Sequence, residues 1–501
     1  MSKNTFSGAR HENRYEIIAK LMKGDIFDGT VKILQKAKPG PVVFSLTDGL
    51  SIIDGVIRDS PFMVDDVVKV MGQVTEHAGR LQIEIDTISR SAMNFDKILD
   101  QRSIPVRDTF SISSSRYDQM KSGFIRLAAI IRRAIFNNQP IILRHHNDSD
   151  GISAGLALEK AIQSLMKQIG INVEHNLYRN PSLTPFYDTS DVFRDIGLSQ
   201  RLTKNFNQKT PLIILCDMGT TPENLFSLKI LKSFKLDCIV IDHHHPLHLE
   251  QSRPVVSPYL LDILNPHLYE LDGQTSAGML AHELARMVNE EYENPVLPAV
   301  AAISDRCNIR ETDLLIDKSG RSREELQMIG IAIDYLAYQL KFDAGTGIYE
   351  KVYENSELVQ NINDAVQVSV NSQLQSTMPY LQSQDINGIF YSQIDLEKYT
   401  TRFRYPTPGK VLGMIHDTIV AGKQSKSVIT IGYVSDMIII RANKPDYSVQ
   451  DILEMLKEKI PEANVEGGGH EQAGTIKFIP AHLLRILELI KEQLRNIPPN
   501  E

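Results

Sequence analysis

Four clusters of aspartate and histidine recur along this chain of 501 residues, and each follows an apolar run. Ile141-Ile142-Leu143 leads into Arg144-His145-His146-Asn147-Asp148-Ser149-Asp150-Gly151. Leu212 to Leu215 leads into Cys216-Asp217-Met218-Gly219, and Cys238 to Ile241 into Asp242-His243-His244-His245-Pro246. Val300 to Ile303 leads into Ser304-Asp305-Arg306. Carboxylates about 4 Å apart repel by roughly 4 kcal/mol at an effective dielectric near 20, so several in one crevice either protonate or hold cations. Histidines among them favour cations. A mixed carboxylate and imidazole set suits manganese and related divalent ions, and a pair of metals sharing one carboxylate is the usual machinery for displacement at phosphorus. The clusters carry no cysteine pattern of a structural zinc site.

The elements needed to bring these clusters together are legible in outline. Short apolar runs read as buried strands of a parallel sheet, and ligands of such sheets lie at the carboxyl ends of the strands. From 139 to about 316 these runs alternate with helical segments such as Ala154 to Lys167 and Ala277 to Val288, an α/β pattern. A helix opening beside Asp150-Gly151 would bring its positive end to an anionic ligand. Ahead of this region, Gly24 to Ser89 reads as five short strands with regular turns, a small all-β barrel resembling an OB-fold, which often binds oligonucleotides. Tyr15 to Met22 reads as a segment packing on it. A serine-rich linker is expected over 101–115, then a helix from Tyr117 to Phe136 with Arg126, Arg132 and Arg133 on its solvated face. The stretch 317–385 is polar and largely helical. Beyond Gly388, Ser427 to Tyr433 and Met437 to Arg441 read as paired strands, Val449 to Lys459 as a helix, Thr475 to Ile479 as a strand and Ala481 to Arg495 as an amphipathic closing helix. Tyr399 to Tyr405 interleaves aromatics and arginines, which fits either a core strand or a base-stacking surface.

These segments, in this order, resemble the DHH phosphoesterase superfamily, with RecJ-like exonucleases of the archaeal type as the nearest in look. Asp242-His243-His244 matches the motif that names it, His146-x-Asp148-x-Asp150-Gly151 its first motif, Asp217 with Gly219 its second and Asp305 its fourth. Gly467-Gly468-Gly469-His470 is similar to the glycine-rich loop of the associated C-terminal domain. The resemblance implies a parallel-sheet α/β catalytic domain (101–345), a helical connector (346–385) and a smaller α/β substrate-binding domain (386–501), preceded by the OB-fold barrel (1–100). It implies that His146 and Asp148 hold one metal, that Asp150, His243 and Asp305 hold a second, and that Asp217 bridges them. The family spacing selects His146 over His145. His244 would face the phosphate, and Arg441, Gly467, Gly468, Gly469 and His470 would hold the substrate. His245 and His248 are read as neighbours of the site and not ligands.

Composition bounds the rest. A net charge of −8 argues against a protein that coats nucleic acid over its whole surface, though not against a local basic groove. Cys216, Cys238 and Cys307 read as reduced, buried thiols of a cytoplasmic protein. No run of 18 apolar residues is present, and the polar start reads as no signal peptide, so no membrane partner is expected. The expected activity is metal-dependent exonucleolytic hydrolysis of single-stranded DNA or RNA, with two divalent ions, manganese or magnesium, and possible replication or repair partners. Hydrolysis of short oligonucleotides or cyclic dinucleotides is the alternative within phosphoester chemistry. A non-catalytic replication or repair scaffold is the alternative outside it.

Overall fold

The computed structural model describes residues 18–496 except 39, 183, 248, 251–252, 342, 402–403, 424–426, 444–447 and 471, with the backbone alone for 250 and 468–470. His248, Arg402, Phe403 and Tyr15 to Ile17 therefore lie outside the described residues. The chain forms two compact units, 1–330 with 340–345, and 331–339 with 346–501.

The first unit opens with five strands, β1 (Ile26–Ala37), β2 (Val42–Thr47), β3 (Ile52–Ile57), β4 (Val67–His77) and β5 (Arg80–Arg90), closed into a barrel in the order β1-β2-β3-β5-β4. Strand β4 alternates buried and exposed residues, so Val68, Val70 and Val74 meet Val31, Phe44, Leu46 and Ile83 in the barrel core. Gly72 sits at a register shift between β4 and β5, where an added Cβ would lie 2.1 Å from the Glu84 carbonyl oxygen. That bulge bends the strand as closure requires. The OB-like barrel expected from the sequence is present.

Helix α1 (Phe95–Ser103), capped by Asn94, occupies the start of what the sequence suggested was a linker. Helix α2 (Ser115–Phe136) follows. Of its three arginines, Arg126 pairs with Asp262 and Arg133 with Asp96 and Asp100. Arg132 is not on the solvated face: it is buried and donates to the Val288 carbonyl at 2.7 Å. A guanidinium enters a core where a helix-end carbonyl accepts from it.

The second sheet of this unit comprises β6 (Ile141–His146), β7 (Leu177–Ser182), β8 (Leu212–Cys216) and β9 (Asp237–Ile241). After the two-residue strands β10 (Leu249–Glu250) and β11 (Arg253–Pro254), β12 (Asp262–Leu264) completes it in the order β12-β9-β8-β6-β7, all parallel. Interleaved are α3 (Ser149–Gln168), α4 (Thr189–Phe206), α5 (Leu225–Ser233) and α6 (Ala277–Val288). Ile142, Ile213, Leu215 and Val240 pack against Val192 and Ile196 of α4 and Leu228 and Leu231 of α5. On the other face, an added Cβ at Gly155 of α3 would lie 2.5 Å from the His145 ring. Three of the four clusters thus end parallel strands. The fourth does not: Val300 to Ile303 belongs to helix α7 (Val296–Ser304), and Asp305 is its C-cap. A four-residue apolar run fits either element, and the alanines here favour the helix. Helices α8 (Arg310–Ser319) and α9 (Arg323–Leu340) follow.

The second unit contains the end of α9, then α10 (Ile348–Glu354) and α11 (Ser356–Thr377). A six-stranded mixed sheet comes next. Its strands and helices are β13 (Gln382–Ile386), β14 (Ile389–Asp395), α12 (Leu396–Tyr399), α13 (Pro408–Gly422), β15 (Ser427–Val434), β16 (Met437–Ala442), α14 (Val449–Lys459), β17 (Glu466–His470), β18 (Ala473–Lys477) and α15 (Leu483–Arg495). The strand order is β13-β14-β15-β16-β18-β17. The glycine-rich segment is therefore an edge strand and not a loop. A Cβ at Gly467 would lie 2.4 Å from the Thr475 carbonyl oxygen, so the pairing itself requires glycine there. Tyr399 and Tyr405 belong to no strand: Tyr399 ends α12 and stacks on Tyr380 at 4.2 Å, and buried Tyr405 packs edge-on against Tyr335. No described helix is long and apolar enough to cross a membrane.

Candidate metal centre

The carboxyl ends of β6, β8 and β9 converge with the ends of α6 and α7. After β6 the chain turns into α3, whose N-cap is Asp148, with Oδ1 accepting from Gly151 N at 2.9 Å. Only glycine fits at 151, because a Cβ there would lie 2.3 Å from the His146 carbonyl oxygen. The second Asp148 oxygen is 2.8 Å from His146 Nδ1. Asp217, one residue past β8, has a left-handed backbone (φ 58°). Such a conformation costs about 1–3 kcal/mol and clusters at functional sites. It turns the carboxylate into the centre, with Oδ2 3.3 Å from His146 Nδ1 and Oδ1 3.3 Å from His243 Nε2. One carboxylate thus shares its two oxygens between two groups.

The second group is Asp150, His243 and Asp305. His243 Nε2 lies 3.7 Å from Asp150 Oδ2, and His243 Nδ1 lies 3.6 Å from Asp305 Oδ2 and 2.8 Å from the Gly273 carbonyl oxygen. Donation from Nδ1–H to that carbonyl fixes the tautomer whose Nε2 lone pair faces the carboxylates, the usual support of a metal-bound imidazole. Asp150 is buried, and its carboxylate accepts from Ala277 N and Gly278 N at 2.9 and 2.8 Å. The amino end of α6 thus receives the Asp150 carboxylate, while Asp148 caps α3.

Charge crowding is severe. Burial and the neighbouring Asp217 and Asp305 push the Asp150 carboxyl well up, and burial with Asp217 pushes Asp305 up to about 6 despite His243. Burial opposes protonation of His146 and His243, but Asp148 and Asp217 around the first, and Asp305, Asp217 and Asp150 around the second, outweigh it and raise both imidazoles well above their usual range. A centre that draws protons this strongly is one that divalent cations would neutralise. All six donors are oxygen or imidazole nitrogen, the chemistry that suits such ions.

Three side chains around this centre, Asp242, Thr220 and Asn265, were given no role by sequence, although Asp242 stands in the quoted motif. Asp242 Oδ1 accepts from His244 Nδ1 at 2.7 Å and from the backbone of His243 and His244 at 2.8 and 3.2 Å. Its Oδ2 accepts from Thr220 N at 3.0 Å and Thr220 Oγ1 at 2.5 Å. Despite burial, His244 beside it holds the Asp242 carboxyl well below the carboxylate range. Asn265 Nδ2 donates to the His244 carbonyl at 2.9 Å and to Thr220 Oγ1 at 3.2 Å. The aspartate's short reach to its own following amides was the available signal. His145 is a satisfied core residue, with Nδ1 on the His146 carbonyl at 2.8 Å and Nε2 on Arg179 at 3.1 Å, and burial pushes it down to about 3. His245 is exposed and accepts from Leu247 N. Cys216, Cys238 and Cys307 are buried free thiols. In the second unit, the register aligns Arg441 with Ala473, and Ala473 with His470, across three strands.

The DHH family N-terminal domain matches residues 140–304. An uncharacterized protein of Methanocaldococcus jannaschii is 33% identical over 94% of this chain and 68% of its own length. The single-stranded-DNA-specific exonuclease RecJ of Bacillus subtilis is 25% identical over 210 residues, 41% of this chain and 24% of that protein. A solved DHH domain, from a protein described as a member of a family of ribosomal proteins, superposes with a TM-score of 0.78 at 34% identity, covering 81% of this chain and 97% of that one. RecJ from Thermus thermophilus in complex with Mn2+ shares the fold at a TM-score of 0.51 and 16% identity, over 80% of this chain and 57% of that one. The chain belongs to the DHH family, with RecJ among its relatives.

Proposed function

We propose that this protein is a RecJ-like hydrolase that cleaves phosphodiesters of single-stranded DNA or RNA with two divalent ions, manganese or magnesium. The observation that carries the reading is Asp217, whose two oxygens face His146 and His243 separately. In this reading His146 and Asp148 hold one ion, Asp150, His243 and Asp305 the other, and Asp217 both. Bound there, the ions supply positive charge to phosphoryl oxygens and lower the pKa of water. The remaining steps belong to the protein. Asp242 favours the protonated form of His244 against burial and fixes its ring through Nδ1; in that form Nε2–H would be the donor to a non-bridging phosphoryl oxygen as negative charge builds there. The left-handed turn at Asp217 and the two α6 amides on Asp150 hold the carboxylates in place before substrate arrives, so no reorganisation is required during the reaction. In the second unit, Arg441, the backbone of Gly467, Gly468 and Gly469, and His470 form the proposed hold on a nucleotide. Strand β17 stands at the edge of the sheet, paired on one side with β18, among the described residues. The barrel is the proposed contact for the strand farther along.

The test is a time course on end-labelled single-stranded DNA and RNA with manganese, comparing the wild type with Asp217→Ala. The wild type should shorten one or both substrates and the variant should not. Equal rates would refute the proposal.

A further inference from the structure

Helices α4 and α5 lie on one face of the parallel sheet, with Val192, Ile196, Leu228 and Leu231 turned into it. Their outer surface is basic. Arg201, Lys204, Lys229, Lys232 and Lys235 are exposed and pair with no carboxylate among the described residues. Lys229 lies over the Tyr259 ring, 5.8 Å from its centroid. The two carboxylates of α4, Asp191 and Asp195, are buried and held by Arg144, and the segment from Leu225 to Leu236 holds none. Glu223 and Asp237 stand only at the two ends of α5. On a chain of net charge −8, a surface of unpaired cations with no exposed acid between them is a place where a polyanion is favoured.

The same surface is aromatic. Phe193, Phe206, Phe226 and Phe234 are between 47% and 62% exposed, and no other described phenylalanine is exposed. Phe193, Arg201 and Lys204 recur at helical spacing along α4, and Phe226 and Lys229 along α5, so ring and charge share a face on each helix. Both helices run from the carboxyl end of the sheet, where the metal centre lies, to its amino end, because each joins one parallel strand to the next. The barrel is docked at that amino end. Lys209, just after α4, lies 2.9 Å from Asp65 of the barrel, Lys32 donates to the Asn137 side chain at 3.2 Å, and Ile52 N donates to the Ile169 carbonyl at 3.2 Å. With its 18 residues, α4 spans about 27 Å between the two ends.

We propose that the outer face of α4 and α5 is a track for single-stranded nucleic acid between the metal centre and the barrel. The cations take its phosphates and the exposed phenylalanines stack on its bases, the combination that binds single strands without sequence preference. Bases inside a duplex present no free face to the rings, so the rings select a single strand. The ends of the track rest on the proposed hydrolase reading, whereas binding on the face does not. At the roughly 3.4 Å rise of a stacked strand, the length of α4 accommodates about eight nucleotides.

Fluorescence anisotropy of the full chain without metal tests it, with a labelled oligothymidylate longer than the track and a duplex of the same length as probes. The proteins are the wild type, Lys204→Gln with Lys229→Gln, and Phe193→Ala with Phe226→Ala. All four side chains are exposed, so the melting temperature should not change. The lysine pair should weaken both probes and flatten the plot of log affinity against log salt for the single strand by roughly 1.4, the loss of two phosphate contacts. The phenylalanine pair should weaken the single strand by about tenfold per ring and leave the duplex as it was. Either pair binding the oligothymidylate as the wild type does would overturn the proposal. So would sedimentation in which the wild type dimerises and the phenylalanine pair does not, which would assign the rings to a second copy of the chain. No turnover is read, so a failure of the hydrolase reading and a failure of this one are separable.

Discussion

Asp242→Asn separates a ligand from a positioner. The residue lies inside the motif that names the family, yet its oxygens point away from the candidate ions, toward Thr220 and the two following residues. Asparagine preserves the shape but exchanges one acceptor oxygen for a donor. Turned one way, its NH2 faces Thr220 N–H; turned the other, it faces His243 N, His244 N and His244 Nδ1. Either orientation leaves a buried N–H without an acceptor, about 1–3 kcal/mol, and removes a charge-assisted bond to His244 of about 1.5–3 kcal/mol. The sum, about 2.5–6 kcal/mol, is a large share of the roughly 5–15 kcal/mol that holds a domain folded. Thermal unfolding should show that loss directly. Turnover on a labelled single strand should fall by about 10²-fold, the scale of one lost transition-state donor. Manganese affinity, read by calorimetry on the folded variant, should persist. Thr220→Val keeps the backbone donor to Asp242 and removes the hydroxyl that donates to Asp242 and accepts from Asn265, so it should show the same pattern in milder form and serves where the asparagine variant is too unstable. The reasoning fails if Asp242→Asn loses manganese while folded, which would make Asp242 a ligand, or if it turns over at the wild-type rate.

Three further outcomes follow from the geometry. Manganese affinity should rise with pH: His146 and His243 have raised pKa values in the ion-free protein, the protons they hold must leave as an ion binds, and fewer are present at higher pH. Calorimetry at several pH values that found affinity flat or falling would contradict the assigned ligands. Gly278→Ala sets a Cβ 2.4 Å from that of Ala301 and 3.0 Å from Asp150 Oδ1, so it should cost about 1–3 kcal/mol of stability and weaken metal binding together, as thermal unfolding and calorimetry would read. Deleting residues 1–100 should slow cleavage of long strands and spare short ones. Equal slowing on a dinucleotide would remove the barrel from substrate binding.

How much of this was legible beforehand depended on whether the relevant physics was local. Strand β9 and the turn at Asp242 were readable because an unbroken apolar run followed by acid and imidazole leaves few choices at the end of a buried strand. Helix α6, from Ala277 to Val288, was placed at its observed ends by its apolar periodicity. Asp305 was assigned to the centre by resemblance, yet its element was misread, since Val300 to Ile303 is too short for periodicity to distinguish a strand from the last turn of a helix. The glycine-rich segment was misread for a related reason. Glycine signals freedom when read alone, whereas here Gly467 permits a close strand pairing decided by residues on β18. Arg132 illustrates the long-range case, because its acceptor, Val288, is 156 positions away and nothing near the arginine announces it.

The same distinction explains why the centre holds its shape. Asp150 is fixed by α6 amides 127 and 128 residues downstream, and His243 by a carbonyl 30 residues on. Asp148 Oδ1 and Asp242 Oδ1, by contrast, accept from amides within three residues of themselves. Local caps set the two turns as soon as their strands form, whereas the distant bonds form only when α6 docks. A candidate site assembled from both kinds of support should lose its Asp150 group first under partial unfolding, while the turns at Asp148 and Asp242 persist. Hydrogen exchange should therefore find the Ala277 and Gly278 amides less protected than those of Gly151 and His243, and the reverse order would mean that α6 docks before the strand ends are set.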